Sequence, residues 1–241
     1  MQSRVGWWFG VSFLGLVLAA FVAGGAWLWR TMQDEGRLPL EVVEVQGLHP
    51  HTPAEQIRAV LLERPLGSFF SLDVNEVQRR LEALPWIYQV SVRKAWPRKL
   101  QIYLVEQQAV AKWNDNRLLN LQGEIFEAPQ SEQEQALARL YGQDLDAREA
   151  LEGYRKLGQL LGDAGFAIQA ARLSNRQSWE LELGNGPRLI LGREDTLRRV
   201  QRFIDSFPYV QGEQRQPAYL DLRYDTGFAV GWQEEQQDAE S

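Results

Sequence analysis

The sequence predicts an α+β protein: a single N-terminal transmembrane helix, then a small β-α-α-β-β unit, then a mixed β region with two flanking helices. Three observations carry this. The stretch from Val5 to Trp29, VGWWFGVSFLGLVLAAFVAGGAWLW, has no charged residue. Between residues 40 and 106, two apolar stripes at helical spacing lie between runs of alternating polarity. Beyond Gln107, short alternating runs recur around turn residues, interrupted by two longer amphipathic segments.

Composition excludes several classes. The 241 residues include no cysteine, so there is no disulfide and no thiolate chemistry, and oxidising and reducing compartments fit equally well. The two histidines, His49 and His51, share a GLHPHTP loop with no carboxylate spaced to complete a zinc site. No metal and no cofactor is expected. A net charge of −6 argues against nucleic acid as the main partner. There is no Ser, His and Asp set in a nucleophile context and no phosphate-cradling loop, and carboxylates such as Glu134 and Asp163 read as helix surface. An enzyme is not expected.

Residues 5–29 as a helix would be about 37 Å long, enough to cross a hydrocarbon core of about 30 Å. Trp7 and Trp8 stand near one end and Trp27 and Trp29 near the other, where indoles favour the membrane interfaces. A cleaved signal peptide would end its apolar core in small residues before a polar start. Here AGG is followed by AWLW, which favours an uncleaved anchor flanked by a tail, residues 1–4, and a linker, residues 30–37. Arg4 precedes the span and Arg30 and Arg37 follow it, so charge alone leaves the orientation open.

In residues 38–107, LEVVEVQG reads as a strand ending at Gly47. Thr52 is placed as N-cap, Pro53 as first helical residue and Glu55 as the partner in a capping box, followed by Ile57, Val60 and Leu61. Asp73 and Glu76 repeat the device, and Val74, Val77, Leu81 and Leu84 form a stripe that Pro85 ends. Tyr88, Val90 and Val92 alternate, KAWPRK turns, and Leu100, Ile102 and Leu104 alternate: a hairpin.

In residues 108–232, AVAKWND and RLLNLQGEIFEA read as strands around turns at Asn114-Asp115-Asn116 and Gly123. A polar stretch, residues 129–135, leads to a helix with Leu151, Tyr154, Leu157, Leu160 and Leu161 on one face and Gly165 as its C′ residue. Trp179, Leu181 and Leu183 alternate up to a GNGP turn, and RLILG returns. A second helix directs Leu197, Val200, Ile204 and Phe207 inward and Arg198, Arg199 and Arg202 outward, as a solvated face or an acidic-partner site. Residues 219–223 and 228–232 read as two last strands around an Asp225-Thr226-Gly227 turn. The acidic residues 233–241 read as a disordered end.

The β-α-α-β-β unit looks like a polypeptide-transport-associated (POTRA) domain. Together LPWIYQVSVRKAWP, VAKWND, LEGYRKLGQLL, LGREDTLRRVQRF and YLDLRYDTGFAVGW resemble the FtsQ/DivIB family of bacterial cell-division proteins, from the span to Trp232. The resemblance implies a single-pass inner-membrane protein with a cytoplasmic N-terminus, a periplasmic POTRA domain and a periplasmic β domain, working at the division septum. It also implies partners. The β domain would capture FtsB and FtsL, which lead to septal peptidoglycan synthesis by FtsW and FtsI, and the POTRA domain and span would meet upstream recruiting proteins. A strand of FtsB would add to the C-terminal sheet edge, by backbone hydrogen bonds along Val230 and its neighbours. Tyr224 and Trp232 fall at aromatic contact positions and Arg176 at a basic one, with Thr226, Gly227, Phe228 and Gly231 beside them. Phe228 departs from the small residue expected there. Family members often carry a longer cytoplasmic tail than residues 1–4, so tail contacts are absent or the chain starts upstream. A POTRA-type adaptor in envelope polypeptide transport is the alternative; such adaptors usually bring POTRA repeats or an attached barrel, and neither is read here.

Overall fold

The computed structural model describes residues 3–33, 42–47, 50–211 and 216–233. Helix α1 runs Ser3–Gln33. Its apolar window, Trp7–Thr31, is long and apolar enough to cross a membrane. The helix continues past the expected start of the linker at residue 30. Residues 34–37 of that linker, His49, and residues 234–241 of the acidic end lie outside the described residues.

The chain divides into two compact units, Met1–Gln107 and Gln108–Ser241. In the first, β1 (Val42–Gln46), β2 (Ile87–Ala95) and β3 (Lys99–Glu106) form a sheet in the order β1-β3-β2. The β2–β3 pair is antiparallel, and β1 lies parallel to β3 with Val42 opposite Lys99. Helices α2 (Ala54–Leu62) and α3 (Val74–Glu82) bury Ile57, Leu61, Val77 and Leu81 against Val90, Val92, Leu100, Ile102 and Leu104. Gly47, after β1, has φ +112°, and a Cβ there would stand 2.1 Å from the Leu104 carbonyl oxygen, so no side chain fits.

Three local readings need correction. Pro53, not Thr52, holds the cap position of α2, and Thr52 is buried. Asp73 does cap α3, accepting from the amides of Asn75 and Glu76, but the Glu76 carboxylate turns forward to Arg80, whose Nε is 3.1 Å away. Tyr88 is exposed because the β2–β3 register shifts between Ile87 and Gln89: the bulge turns Ile87 inward in its place.

The second unit is a nine-stranded sheet. Its strands are β4 (Ala109–Trp113), β5 (Arg117–Asn120), β6 (Ile125–Phe126), β7 (Arg139–Tyr141), β8 (Ile168–Leu173), β9 (Trp179–Leu183), β10 (Arg188–Gly192), β11 (Pro217–Asp221) and β12 (Ala229–Trp232). The order across the sheet is β12-β11-β10-β9-β8-β7-β4-β5-β6. A short helix, α4 (Glu132–Gln135), occupies the stretch read as merely polar; Ser131 and Glu134 form a reciprocal capping box there, which the Ser-x-x-Glu spacing announces. Helices α5 (Ala147–Asp163) and α6 (Thr196–Gln211) each connect parallel neighbours, β7 to β8 and β10 to β11. Both crossovers step the same way between strands of one direction. Right-handed connections then place both helices on one face, over a core of Trp113, Leu140, Leu181, Leu189, Val200 and Phe203.

Helix α5 ends as expected. Gly165 has φ +85°, its amide donates to Gly162 O, and the Phe166 amide donates to Leu161 O, closing both bonds of a Schellman cap. Helix α6 departs from expectation: it runs through Pro208 to Gln211, Phe203 rather than Leu197 faces the core, and Leu197 is exposed.

Asp144, in the turn of 3-10 helix that leads into α5, is tied to the first hairpin of this unit. It accepts from Trp113 Nε1 at 2.9 Å and from both terminal nitrogens of Arg117 at 2.7 and 2.8 Å. These bonds, Arg117 first, lower its carboxyl to about 2, below the roughly 3.9 of a free aspartate. A depressed folded-state value stabilises the fold above the unfolded value, and that contribution is lost as pH falls through the folded one. Between pH 5 and pH 2, Asp144→Asn should therefore lose less stability to urea than the parent does. Equal losses would show that the Arg117–Asp144 pair does not titrate with folding.

Candidate functional site

Strand β12 is one edge of the large sheet and β6 the other. Among the described residues nothing pairs with the outer side of β12. The strand is antiparallel to β11, with Ala229 opposite Asp221, Val230 opposite Leu220, Gly231 opposite Tyr219 and Trp232 opposite Pro217. The Gln233 amide donates inward to Gln216 O at 3.1 Å. Antiparallel ladders alternate inward and outward groups, so Val230 and Trp232 present their amides and carbonyls to the open edge. The Val230 side chain packs on the core on the helix side of the sheet, and Trp232, two residues on, falls on the same face.

The opposite face explains Gly231. The Tyr219 ring lies across it, and a Cβ at Gly231 would come within 2.1 Å of that ring. Arg188, in register with Tyr219 on β10, holds its guanidinium 5.7 Å from the ring centroid.

Residues 222–228 lead from β11 to β12 as irregular chain rather than strand ends around a tight turn, so β11 ends two residues earlier than predicted and β12 starts one residue later. Their backbone oxygens are held from α6. Arg202 donates to the carbonyls of Leu222 (2.9 Å), Tyr224 (2.8 Å) and Asp225 (2.6 Å). Arg199 donates to Leu191 O at 2.6 Å and Arg223 O at 3.1 Å. Gly192, with φ +72°, leaves room for this, since a Cβ there would sit 2.9 Å from an Arg199 nitrogen. Two of the three arginines expected to face outward are thus internal fasteners. Arg198 alone points away, 3.9 Å from Asp195.

Asp221 closes the end of β11, accepting from Arg223 Nε at 2.9 Å, Arg223 Nη2 at 2.6 Å and the Arg223 amide at 3.1 Å. The pairing holds the Asp221 carboxyl below its usual range and the Arg223 guanidinium above its own. Among the described residues no group of three or more metal-binding side chains is assembled. His51 instead stacks on Trp86 at 3.9 Å and lies 3.1 Å from Glu106 through Nδ1.

The predicted residues occupy two ends of one edge region. Tyr224, Thr226, Gly227 and Phe228 lie in the connector, with Tyr224 59% exposed and Phe228 partly buried on the core. Arg176 lies in the exposed turn between β8 and β9. That turn is at the connector's end of the sheet, because Trp179 pairs with Gly192 and Ile190 with Asp221. It is separated from the edge by β10 and β11. Trp232 stands at the other end of β12, beside Pro217. Tyr219 and the Asp221–Arg223 pair carry no site expectation from the sequence, and Arg199 and Arg202 carry only that of an outward face, solvated or meeting an acidic partner. Arg199 and Arg202, three apart and flanking the inward Val200 and Phe203, carried a usable signal: their shared helix side borders the buried stripe.

Residues 38–107 match the family described as POTRA domain, FtsQ-type. Residues 110–223 match Cell division protein FtsQ/DivIB, C-terminal, a match that stops short of β12. The cell division protein FtsQ of Shewanella oneidensis is 44% identical over 96% of this chain and 89% of its own length. That of Escherichia coli K12 is 40% identical over 92% and 83%, and that of Vibrio cholerae 35% identical over 95% and 88%.

Charge-assisted hydrogen bonds contribute about 1.5–3 kcal/mol each. Arg202→Gln should therefore speed amide exchange in residues 222–229 by at least about tenfold, with the β8–β9 hairpin unchanged. Arg198→Gln is the control and should alter neither. Equal exchange in the two variants would mean that α6 does not hold the connector.

Proposed function

The chain belongs to the FtsQ/DivIB family of cell-division proteins, and we propose that it acts there as a non-catalytic docking protein whose C-terminal sheet edge takes up a strand of FtsB. The observation that carries this reading is the outward-facing backbone of Val230 and Trp232 on an unpaired edge, beside the exposed Tyr224. An added strand gains ladder hydrogen bonds from such an edge, and side chains next to it supply specificity. Tyr, Trp and Arg dominate interface hot spots, which fits Tyr224, Trp232 and Arg176 as contacts. Thr226 and Gly227, small and exposed or half-exposed in the connector, leave an approaching chain room. Phe228 contributes through the core rather than as a contact, which accommodates its departure from a small residue.

In this reading α1 anchors the protein in the inner membrane with its N-terminus in the cytoplasm, and both folded units work in the periplasm at the septum. FtsB brings FtsL, and through them the protein is linked to the synthesis of septal peptidoglycan by FtsW and FtsI. A C-terminal alkaline phosphatase fusion should be active; an inactive fusion with sound expression would reverse the orientation.

Binding of an FtsB periplasmic peptide to the purified full chain tests the edge. Val230→Pro removes an outward amide, as proline does at a tolerated edge position, and should weaken binding at least about tenfold. Tyr224→Ala and Trp232→Ala should do the same with a near-native melting temperature. Arg176→Glu should weaken binding, and a charge-reversed peptide should recover part of it. Normal binding by Val230→Pro alone would replace strand addition with a side-chain pocket. Normal binding by all four variants would move the docking surface elsewhere.

A further inference from the structure

We propose that the tip of the β2–β3 hairpin is a membrane-contact site that takes anionic phospholipid headgroups. The proposal rests on reading α1 as a membrane span. Residues 93–99, RKAWPRK, hold four cations and no acid in a chain of net charge −6. At the apex Trp96 is 83% exposed, so a large indole is left outside the core. An exposed indole among cationic side chains suits the headgroup layer of a bilayer, where its ring is favoured and positive charge meets anionic lipid.

Topology aims this tip toward the anchor. Because β1 runs parallel to β3 with Val42 opposite Lys99, the hairpin turn stands at the end of the sheet where β1 begins. Helix α1 ends at Gln33 and β1 begins at Val42. The intervening chain, fully extended, reaches about 30 Å at most. The tethered end of the domain is therefore the end that bears Trp96.

The local charges decide which side chains take part. Lys94 turns back, donating to Phe70 O at 3.1 Å with its ammonium 5.7 Å from the Phe69 ring. Burial lowers its pKa, and Asp73 opposes that shift. Glu44 lies along the outer face and is kept ionised by hydrogen bonds from Gln46 and Gln101 and by Lys99. Arg93 and Lys99 carry the exposed charge, with Arg98 half-buried between them. Each cation near an anionic surface shifts the docked population by about fivefold. That is weak for a free protein, but a short tether supplies an effective concentration in the millimolar range.

The absence of native cysteine allows clean single-site labelling. The full chain carrying Pro97→Cys or Gln89→Cys, each with a fluorophore, is reconstituted into nanodiscs of phosphatidylcholine with or without phosphatidylglycerol. Quenching by headgroup-attached nitroxide should be strong at residue 97, weak at residue 89, and deeper when phosphatidylglycerol is present. Adding Lys99→Gln should reduce the docked population by about fivefold, and Trp96→Ala should also reduce it, neither lowering the melting temperature. Equal quenching at the two positions overturns the proposal. So does quenching at residue 97 that ignores both the lipid charge and the two substitutions, since the tether alone would then explain it. A chain that does not stay with the discs overturns the span reading and the proposal with it, and is distinguished by its absence from the disc fraction.

Discussion

The five carbonyl bonds donated by Arg199 and Arg202 are the interaction on which the C-terminal half of the second unit depends. Among the described residues, 223–228 have no ladder partner and Leu222 keeps only its amide bond to Ile190 O, and backbone oxygens left without a donor are costly wherever water is scarce. The two guanidinium groups meet that need from one helix. They stand where they do because β10 and β11 are parallel, which requires a crossover helix, and because Val200 and Phe203 are fully buried beneath it. Edge, connector and helix are thus one construction. A change that loosens α6 reaches Tyr224 without touching it.

The small unit is governed by a different constraint, the packing of two short helices on three strands. Its register is set from both sides at one end of the sheet: on β1 by Gly47, where only a hydrogen fits against Leu104 O, and on β2 by the bulge at Tyr88, opposite Val105 and Glu106. Neither residue belongs to the apolar core, yet both set which side chains enter it.

Much of this was legible in the sequence because it is local. The apolar stripes of α3 and α5, the Asp73 cap, the Gly165 terminus and the alternation of β9 depend on neighbours within a few residues. What was not legible depends on residues far apart. Alternation turns Tyr88 inward because it contains no sign of a bulge. Helical spacing places Arg199 and Arg202 outward, toward solvent or an acidic partner, because their acceptors are carbonyls some twenty residues away, and carbonyls leave no trace in residue type. The strand pattern at the C-terminus was visible, but its place at the sheet edge follows from a crossover and a parallel register. Those also put Trp232 and Arg176 at opposite ends, which one-dimensional spacing does not express.

Strand β12 is four residues long, and that brevity limits what an edge can hold. Val230 and Trp232 expose four backbone groups. At a net of about 1 kcal/mol per hydrogen bond, a complete ladder there would give only millimolar attraction. A strand lacking the right side chains would gain too little to stay, and identical edges of two copies would gain no more. The edge can therefore remain uncovered in a crowded compartment without seeding aggregates. Selectivity here comes from offering too little backbone rather than from guarding it.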